Sequence, residues 1–411
     1  MNASPSSHPA GRAGWRASIR EDLDDLAGRD LRRRLRTLES VQGPAVRFGG
    51  REVILLASNN YLGLADHPEV AGAAAEAARS WGTSAAASPL ISGHMAPHAD
   101  LAEALAAFKE KEAALLFGSG FLANVGIISA LAGREDAVFS DALNHASIVD
   151  GCRLSRARQF VFPHNDMDAL DRALGKEKRA RRRLIAVDGV FSMDGDLAPL
   201  ADLADLAERH GALLLVDEAH ATGVVGPLGR GAAARFGVSD RVGVSMGTLG
   251  KALASYGAFA CADAEVVDHL LNRARSFIYS TALPPPAVAA AQAALALARG
   301  EEGERRRGRL RDLCARFRAG LARIGFAPPE GEGSGEAPIF PLLVGGAKDA
   351  LALAEHMLEA GVFLLAIRPP TVPEGTSRLR ATLMATHTEA QIDLALDALE
   401  GGMKKLGLRP R

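Results

Sequence analysis

Four short apolar runs, each followed closely by a glycine or a polar residue, restrict this chain to few architectures. Ala113-Ala114-Leu115-Leu116-Phe117, Leu184-Ile185-Ala186-Val187, Ala212-Leu213-Leu214-Leu215-Val216 and Val242-Gly243-Val244-Ser245-Met246 read as strands. They are apolar on both faces, as parallel strands covered from two sides are. Helical patterns separate them, which predicts an α/β fold with a mostly parallel central sheet flanked by helices. Gly118, Asp188, Asp217 and Thr248 follow the runs. Ligands in open α/β sheets bind at those carboxyl ends.

At 411 residues and 48% hydrophobic, the chain can bury a sizeable core in two domains or one large one. Its formal net charge of -1 provides no global field for nucleic acid or an acidic membrane, so neither is an expected partner. Cys152, Cys261 and Cys314 are widely spaced, which argues against a disulfide framework and a metal site and fits a reduced cytoplasm. The longest apolar stretch, 287–298, is broken by Gln292, and no run approaches the roughly 18 residues that span a bilayer.

The first twenty residues are rich in Ser, Pro, Arg and Ala, with no acid before Glu21. They faintly resemble an organelle transit peptide, but a disordered tail is the preferred reading. Pro284-Pro285-Pro286 should stop one element ahead of an alanine-rich helix, which divides the chain into an N-terminal tail, helix and small strands (1–58), a large domain 59–285 and a smaller α+β domain 286–411 with a Gly/Glu/Pro loop at 328–338. The basic run 176–183 holds Glu177 and no aromatic, so it reads as a solvated helix end.

Lys251 ends Thr248-Leu249-Gly250-Lys251, and Asp217 lies 34 positions earlier in Val216-Asp217-Glu218-Ala219-His220. A lysine that captures an aldehyde and a buried carboxylate that keeps a pyridine nitrogen protonated are the two halves of a pyridoxal 5'-phosphate site. Gly118-Ser119-Gly120-Phe121-Leu122-Ala123 follows a strand and opens a helix, so its amides and the helix dipole would face an anion. The same loop fits a dinucleotide fingerprint, with Asp141 as the acid 23 positions on. An NAD(P)-dependent oxidoreductase is therefore a rival, although it leaves Lys251, Asp217 and His220 without roles. A triphosphate loop ending at Lys251 is rejected, because Ser245 and Ala252 replace its glycine and hydroxyl.

Several longer segments run in one order along nearly the whole chain. Ser58-Asn59-Asn60-Tyr61-Leu62-Gly63-Leu64, residues 117–124, Asn144-His145-Ala146-Ser147, His164-Asn165-Asp166, residues 189–195, residues 216–223 and Lys251 together resemble the α-oxoamine synthase family. The stretch 366–380 is most similar to the biotin-pathway branch of that family. The resemblance implies a fold-type I pyridoxal phosphate-dependent transferase, a homodimer with sites at the interface, and condensation of an amino acid with an acyl thioester with loss of carbon dioxide. For that branch the implied substrates are L-alanine and a pimeloyl thioester of coenzyme A or acyl carrier protein.

The resemblance also implies roles. Lys251 would anchor the cofactor and then act as base, Asp217 would pair with the ring nitrogen, and His145 would stack on the ring. Ser192 and His220 would donate to the phenolic oxygen. Gly120, Phe121 and Thr248 would hold the phosphate, joined by Ser280 and Thr281 of the other subunit. Thr248 could equally cap a turn. Arg380 is the expected carboxylate fork with Asn59 beside it. Thr371 would contact substrate, and one N-terminal arginine, Arg32 or its neighbour Arg33 with Arg32 chosen, would meet the acyl substrate. The loop 82–93 departs from the family by being alanine-rich, with Pro89 and Leu90 where basic or polar residues are usual. If it lines the acyl site, the preferred thioester need not be pimeloyl. Glycine C-acetyltransferase, 5-aminolevulinate synthase and secondary-metabolite condensing enzymes share the cofactor residues and remain alternatives.

Overall fold

The computed structural model describes residues 11–327 and 335–410. The chain begins with α1 (Arg12–Gly28), the hairpin β1 (Ala45–Phe48) and β2 (Arg51–Leu55), then α2 (Pro68–Trp81) and α3 (Ala96–Lys109). The alternating part follows: β3 (Ala113–Phe117), α4 (Gly120–Leu131), β4 (Ala137–Asp141), α5 (Ala146–Ser155), β5 (Arg158–Phe162), α6 (Met167–Lys176), β6 (Arg183–Asp188), α7 (Leu200–His210), β7 (Leu213–Asp217), α8 (Ala232–Arg235), β8 (Val244–Thr248) and β9 (Ala258–Ala262). Helices α9 (Ala264–Arg273), α10 (Arg275–Ile278), α11 (Pro285–Arg299) and α12 (Glu301–Ile324) lead to β10 (Ile339–Gly345), α13 (Ala347–Glu359), β11 (Val362–Phe363), β12 (Ala366–Ile367), β13 (Ser377–Thr382) and α14 (Glu389–Leu406).

Seven strands form one sheet in the order β3-β9-β8-β7-β6-β4-β5. The four predicted strands are all present, and β8-β7-β6-β4-β5 pair in parallel. Successive residues of β6 serve opposite faces. Ile185 and Val187 join the core that includes Leu203 of α7, whereas Leu184 and Ala186 join the one that includes Ile127 of α4 and Ile148 of α5. Each buried aliphatic chain contributes about 1.5–3 kcal/mol, so two-sided coverage fixes these strands.

One unforeseen element is β9, which lies antiparallel between β3 and β8. It fits there because Gly247 of β8 leaves room for Phe259, whose ring would stand 2.3 Å from a Cβ at that position.

Two further sheets, β1-β2-β11 and β10-β13-β12, lie outside the large one. Helix α12 packs on α14, and α13 packs on β13. The expected disordered tail is corrected where it can be seen. Residues 1–10 lie outside the described residues, but α1 is helical from Arg12, since 12–28 contains no proline and many good helix formers. Of the expected loop 328–338, residues 328–334 likewise lie outside the described residues. Among the described residues, no helix is long and apolar enough to cross a membrane.

Candidate active site

The carboxyl ends of three neighbouring strands hold Asp188 (β6), Asp217 (β7) and Thr248 (β8), with Asp188 in register with Asp217. Beside them, Ser119 caps α4 by accepting from the Leu122 amide at 3.3 Å. The first amides of that helix, Gly120 and Phe121, have no carbonyl within it to bond. Gly120 faces β8, since a Cβ there would lie 4.0 Å from Thr248 Cβ. Thr248 Oγ1 donates to the Gly257 carbonyl and accepts from the Gly250 amide, so it shapes the turn that delivers Lys251.

Lys251 Nζ is hydrogen-bonded to His220 Nε2 at 2.9 Å, and His220 Nδ1 to Tyr61 Oη at 2.7 Å. Tyr61 donates to Asn59 Oδ1 at 3.1 Å, and Arg380 donates to the same oxygen at 3.2 Å and to Tyr61 Oη at 3.4 Å. Arg380 Nε also donates to the Ser192 carbonyl at 2.5 Å. Burial, and then the charges of Lys251 and Arg380, hold the His220 ring well below its ordinary pKa. A neutral imidazole donates from one nitrogen and accepts at the other. With Tyr61 giving its one proton to Asn59, Nδ1 donates to Tyr61 and Nε2 is left to accept from Lys251. Burial pulls Lys251 down to about 8 against the opposing pull of Asp217 and Asp188, so a useful fraction is a free amine near neutral pH.

The second half of the site centres on Asp217. Its Oδ1 accepts from the Ala219 amide at 2.8 Å and its Oδ2 from Asn124 Nδ2 at 2.7 Å. Asn124 Nδ2 also donates to Ser147 Oγ, which is bonded to His145 Nδ1 at 2.7 Å. The Asn124 Oδ1 atom is buried with no partner among the described residues. His145 is exposed, and its backbone amide donates to Asp188 Oδ2 at 2.6 Å. Burial and the Asp217 carboxylate beside it push Asp188 well above the usual carboxylate range.

The structure thus links Lys251, His220, Asn59, Arg380 and the Ser192 backbone in one hydrogen-bonded chain, and Asp217 with His145 in a second. Sequence reasoning gave no roles to Tyr61, Asn124, Ser147 and Asp188, although the first three stand inside the motifs quoted above and Asp188 was noted as a strand end. Ser280 and Thr281 do not join either chain. They line a cavity of about 340 Å³ with Gly118, Phe117 and Leu90. The loop 82–93 borders it, with Ala87 accepting from the Ala282 amide. Arg33, rather than Arg32, reaches Thr371, at 3.4 Å, and the guanidinium of Arg368 bonds the Asp30 carbonyl.

The dinucleotide alternative lacks its acid. Asp141 is buried and already accepts from the Leu143 amide, the Asn165 amide and His164. His164 also bonds Asp196 at 2.8 Å, tying down the loop that carries Ser192. Burial opposes its charge, but the bonds to Asp141 and Asp196 outweigh that and raise it to about 10. With a free value near 6.5, this cation contributes stability that is complete below about pH 6.5 and lost as pH rises through about 10. The Tm difference between the native chain and His164→Gln should therefore shrink from pH 8 to pH 11; a constant difference would contradict the charged bridge.

Residues 51–399 match the family described as aminotransferase class I and II. The chain is 55% identical over 391 residues, covering 95% of it and 99% of its relative, to 8-amino-7-oxononanoate synthase of Geobacter sulfurreducens. It is 53% identical over 381 residues, covering 93% of it and 94% of the relative, to the enzyme of that name from Anaeromyxobacter dehalogenans. A serine palmitoyltransferase from S. paucimobilis, solved with a bound PLP-myriocin aldimine, superposes with a TM-score of 0.90 at 30% identity over 97% of this chain and all of its own. The 8-amino-7-oxononanoate synthase of Francisella tularensis gives 0.72 at 28% identity over 86% and 98%.

Proposed function

This chain belongs to the aminotransferase class I and II family, in its α-oxoamine synthase branch, and we propose that it condenses L-alanine with a pimeloyl thioester. Carbon dioxide and free thiol leave, and the product is 8-amino-7-oxononanoate, an intermediate of biotin synthesis. The observation that supports this most directly is the bonded chain from Lys251 through His220 and Tyr61 to Asn59 and Arg380. It sets an amine of lowered pKa and a carboxylate-binding fork into one site.

The residues fit pyridoxal phosphate. Asp217, held by the Asn124 amide, would keep a ring nitrogen protonated, and the buried Asn124 Oδ1 without a partner among the described residues marks unfilled polar space beside it, while the Gly120 and Phe121 amides with Thr248 would suit a phosphate. When bound, that group supplies an aldehyde to be captured by an amine and a ring that takes up electrons. Lys251 would hold it, and its Nζ, of lowered pKa, would take the α proton of the amino acid. His220 and Tyr61 set the direction of that amine's lone pair. Arg380 orients the substrate carboxylate with two parallel donors, and so decides which α bond breaks. His145, held by Ser147 and Asp188, would cover the ring.

We infer further that two copies associate, bringing Ser280 and Thr281 of one to the phosphate loop of the other. Phe121, Ile91 and Tyr279 are exposed by 44, 81 and 71%, which is apolar surface suited to an interface. Arg33 with Thr371 and Arg368 is the segment suited to the acyl carrier, and a cytoplasmic setting fits the three free cysteines.

The decisive assay crosses Gly, Ala and Ser with acetyl, succinyl, pimeloyl and longer acyl thioesters and reads thiol release. Alanine with pimeloyl should win by at least about tenfold in kcat/KM, since a few methylenes are worth roughly 1–3 kcal/mol each in a fitted site. Preference for glycine with acetyl-coenzyme A would sink the substrate assignment, and sedimentation of the same preparation as a monomer would remove Ser280 and Thr281 from the site.

A further inference from the structure

Consecutive arginines of α12 grip the backs of two different active-site loops. Arg306 Nη1 donates to the carbonyls of Leu62 at 2.8 Å and Gly63 at 3.1 Å, directly after Tyr61. Its Nε is held by Glu302 at 2.6 Å. Arg307, whose side chain is 1% exposed, donates from Nη1 to Gly223 O at 3.3 Å and Ala298 O at 2.7 Å, and Glu304 takes its other donors. Gly223 closes the loop that carries His220.

The two loops touch there. Gly223 has φ +86, and a Cβ on it would stand 2.9 Å from Ala252 Cβ and 3.6 Å from Leu62 Cδ1, the neighbours of Lys251 and Tyr61. Helix α12 is in turn braced on α14 by Arg316 and Asp393, with contacts of 2.8 and 2.6 Å.

We propose that Arg306 and Arg307 are positioning residues that set the Lys251–His220–Tyr61 chain from behind, by fixing the separation of the loops 59–63 and 219–223. Neither touches the reacting groups. In each, one guanidinium nitrogen, Nη1, reaches two carbonyls while Nε is held by a glutamate of the same helix, so the planar group is fixed in place.

The proposal rests on the reading of Lys251 as the reactive amine, and the test separates the two. In the cofactor-free full chain, the pH midpoint for acylation of Lys251 is read by peptide mass mapping. Lys251 is faced by Asp217, Asp188, His220 and Arg380. Arg306→Gln should admit water and raise the midpoint by about one unit. In the holoenzyme the same variant should raise KM for the amino acid by about tenfold with kcat within about threefold, and Arg306→Lys should recover most of both. Arg307→Lys, whose single ammonium cannot span both Glu304 and the carbonyls of Gly223 and Ala298, should move the midpoint in the same direction. A lowered Tm with unchanged midpoint and KM, or loss of the fold in both Arg306→Gln and Arg307→Lys, would overturn the proposal. A native chain without turnover would sink the function instead, and would leave the labelling comparison intact.

Discussion

Lys251→Ala is expected to lower kcat by about a thousandfold or more, since it removes both the covalent anchor and a base of the kind worth about 10²–10⁴. Among the described residues, His220 is the one side chain bonded to its amine, and that ring is held neutral with Tyr61 on its far nitrogen. Borohydride should fix cofactor on residue 251 of the native chain and on no residue of the variant, as read by peptide mass. The substitution should cost little stability, because the amine is partly buried and has no ion pair among the described residues. Turnover retained within about tenfold would mean that another group performs the proton transfer.

Asp217→Asn is the second large effect. It keeps the size of the side chain but removes the charge and faces an amide against one of two donors, the Ala219 amide or Asn124 Nδ2. Opposite charges about 4 Å apart at an effective dielectric near 20 are worth about 4 kcal/mol, which is roughly a thousandfold. The loss should divide between weaker cofactor binding, measured by equilibrium dialysis, and slower exchange of the substrate α proton with solvent, measured by NMR. Because Asp188 stands in register with Asp217 and is pushed up first by burial and then by the Asp217 charge, the variant should also lower Asp188 part of the way, with burial still holding it up. Near-native affinity together with near-native exchange would show that the ring nitrogen does not depend on this carboxylate.

The parts of the fold that were legible in the sequence are those in which one residue type has one environment. Strands covered on both faces must be apolar throughout, so β3, β6, β7 and β8 stood out, and the polar residues at their ends marked the site. Strand β9 did not, because Ala258-Phe259-Ala260-Cys261-Ala262 is small and apolar without a distinctive end. Its place between β3 and β8 depends on Gly247 making room for Phe259, which is a tertiary fit. Asn124 and Asp188 escaped assignment for a related reason. A buried polar side chain is defined by its partner, and the partners come from other strands and helices. The preference for Arg33 over Arg32 at Thr371 is set by how the coil after α1 turns, through the bond of Arg368 to the Asp30 carbonyl, and neither could be read from a run of three arginines.

Asn59 and Arg380 are bonded across 321 positions, which closes most of the chain into a single loop. Synthesis proceeds from the N-terminus, so a ribosome-bound chain exposes Asn59, Asp217 and Lys251 well before β13 exists. The end of the site that orients a carboxylate is completed only when the last strand returns to the first motif, and a nascent chain holds its reactive amine before it can select a substrate.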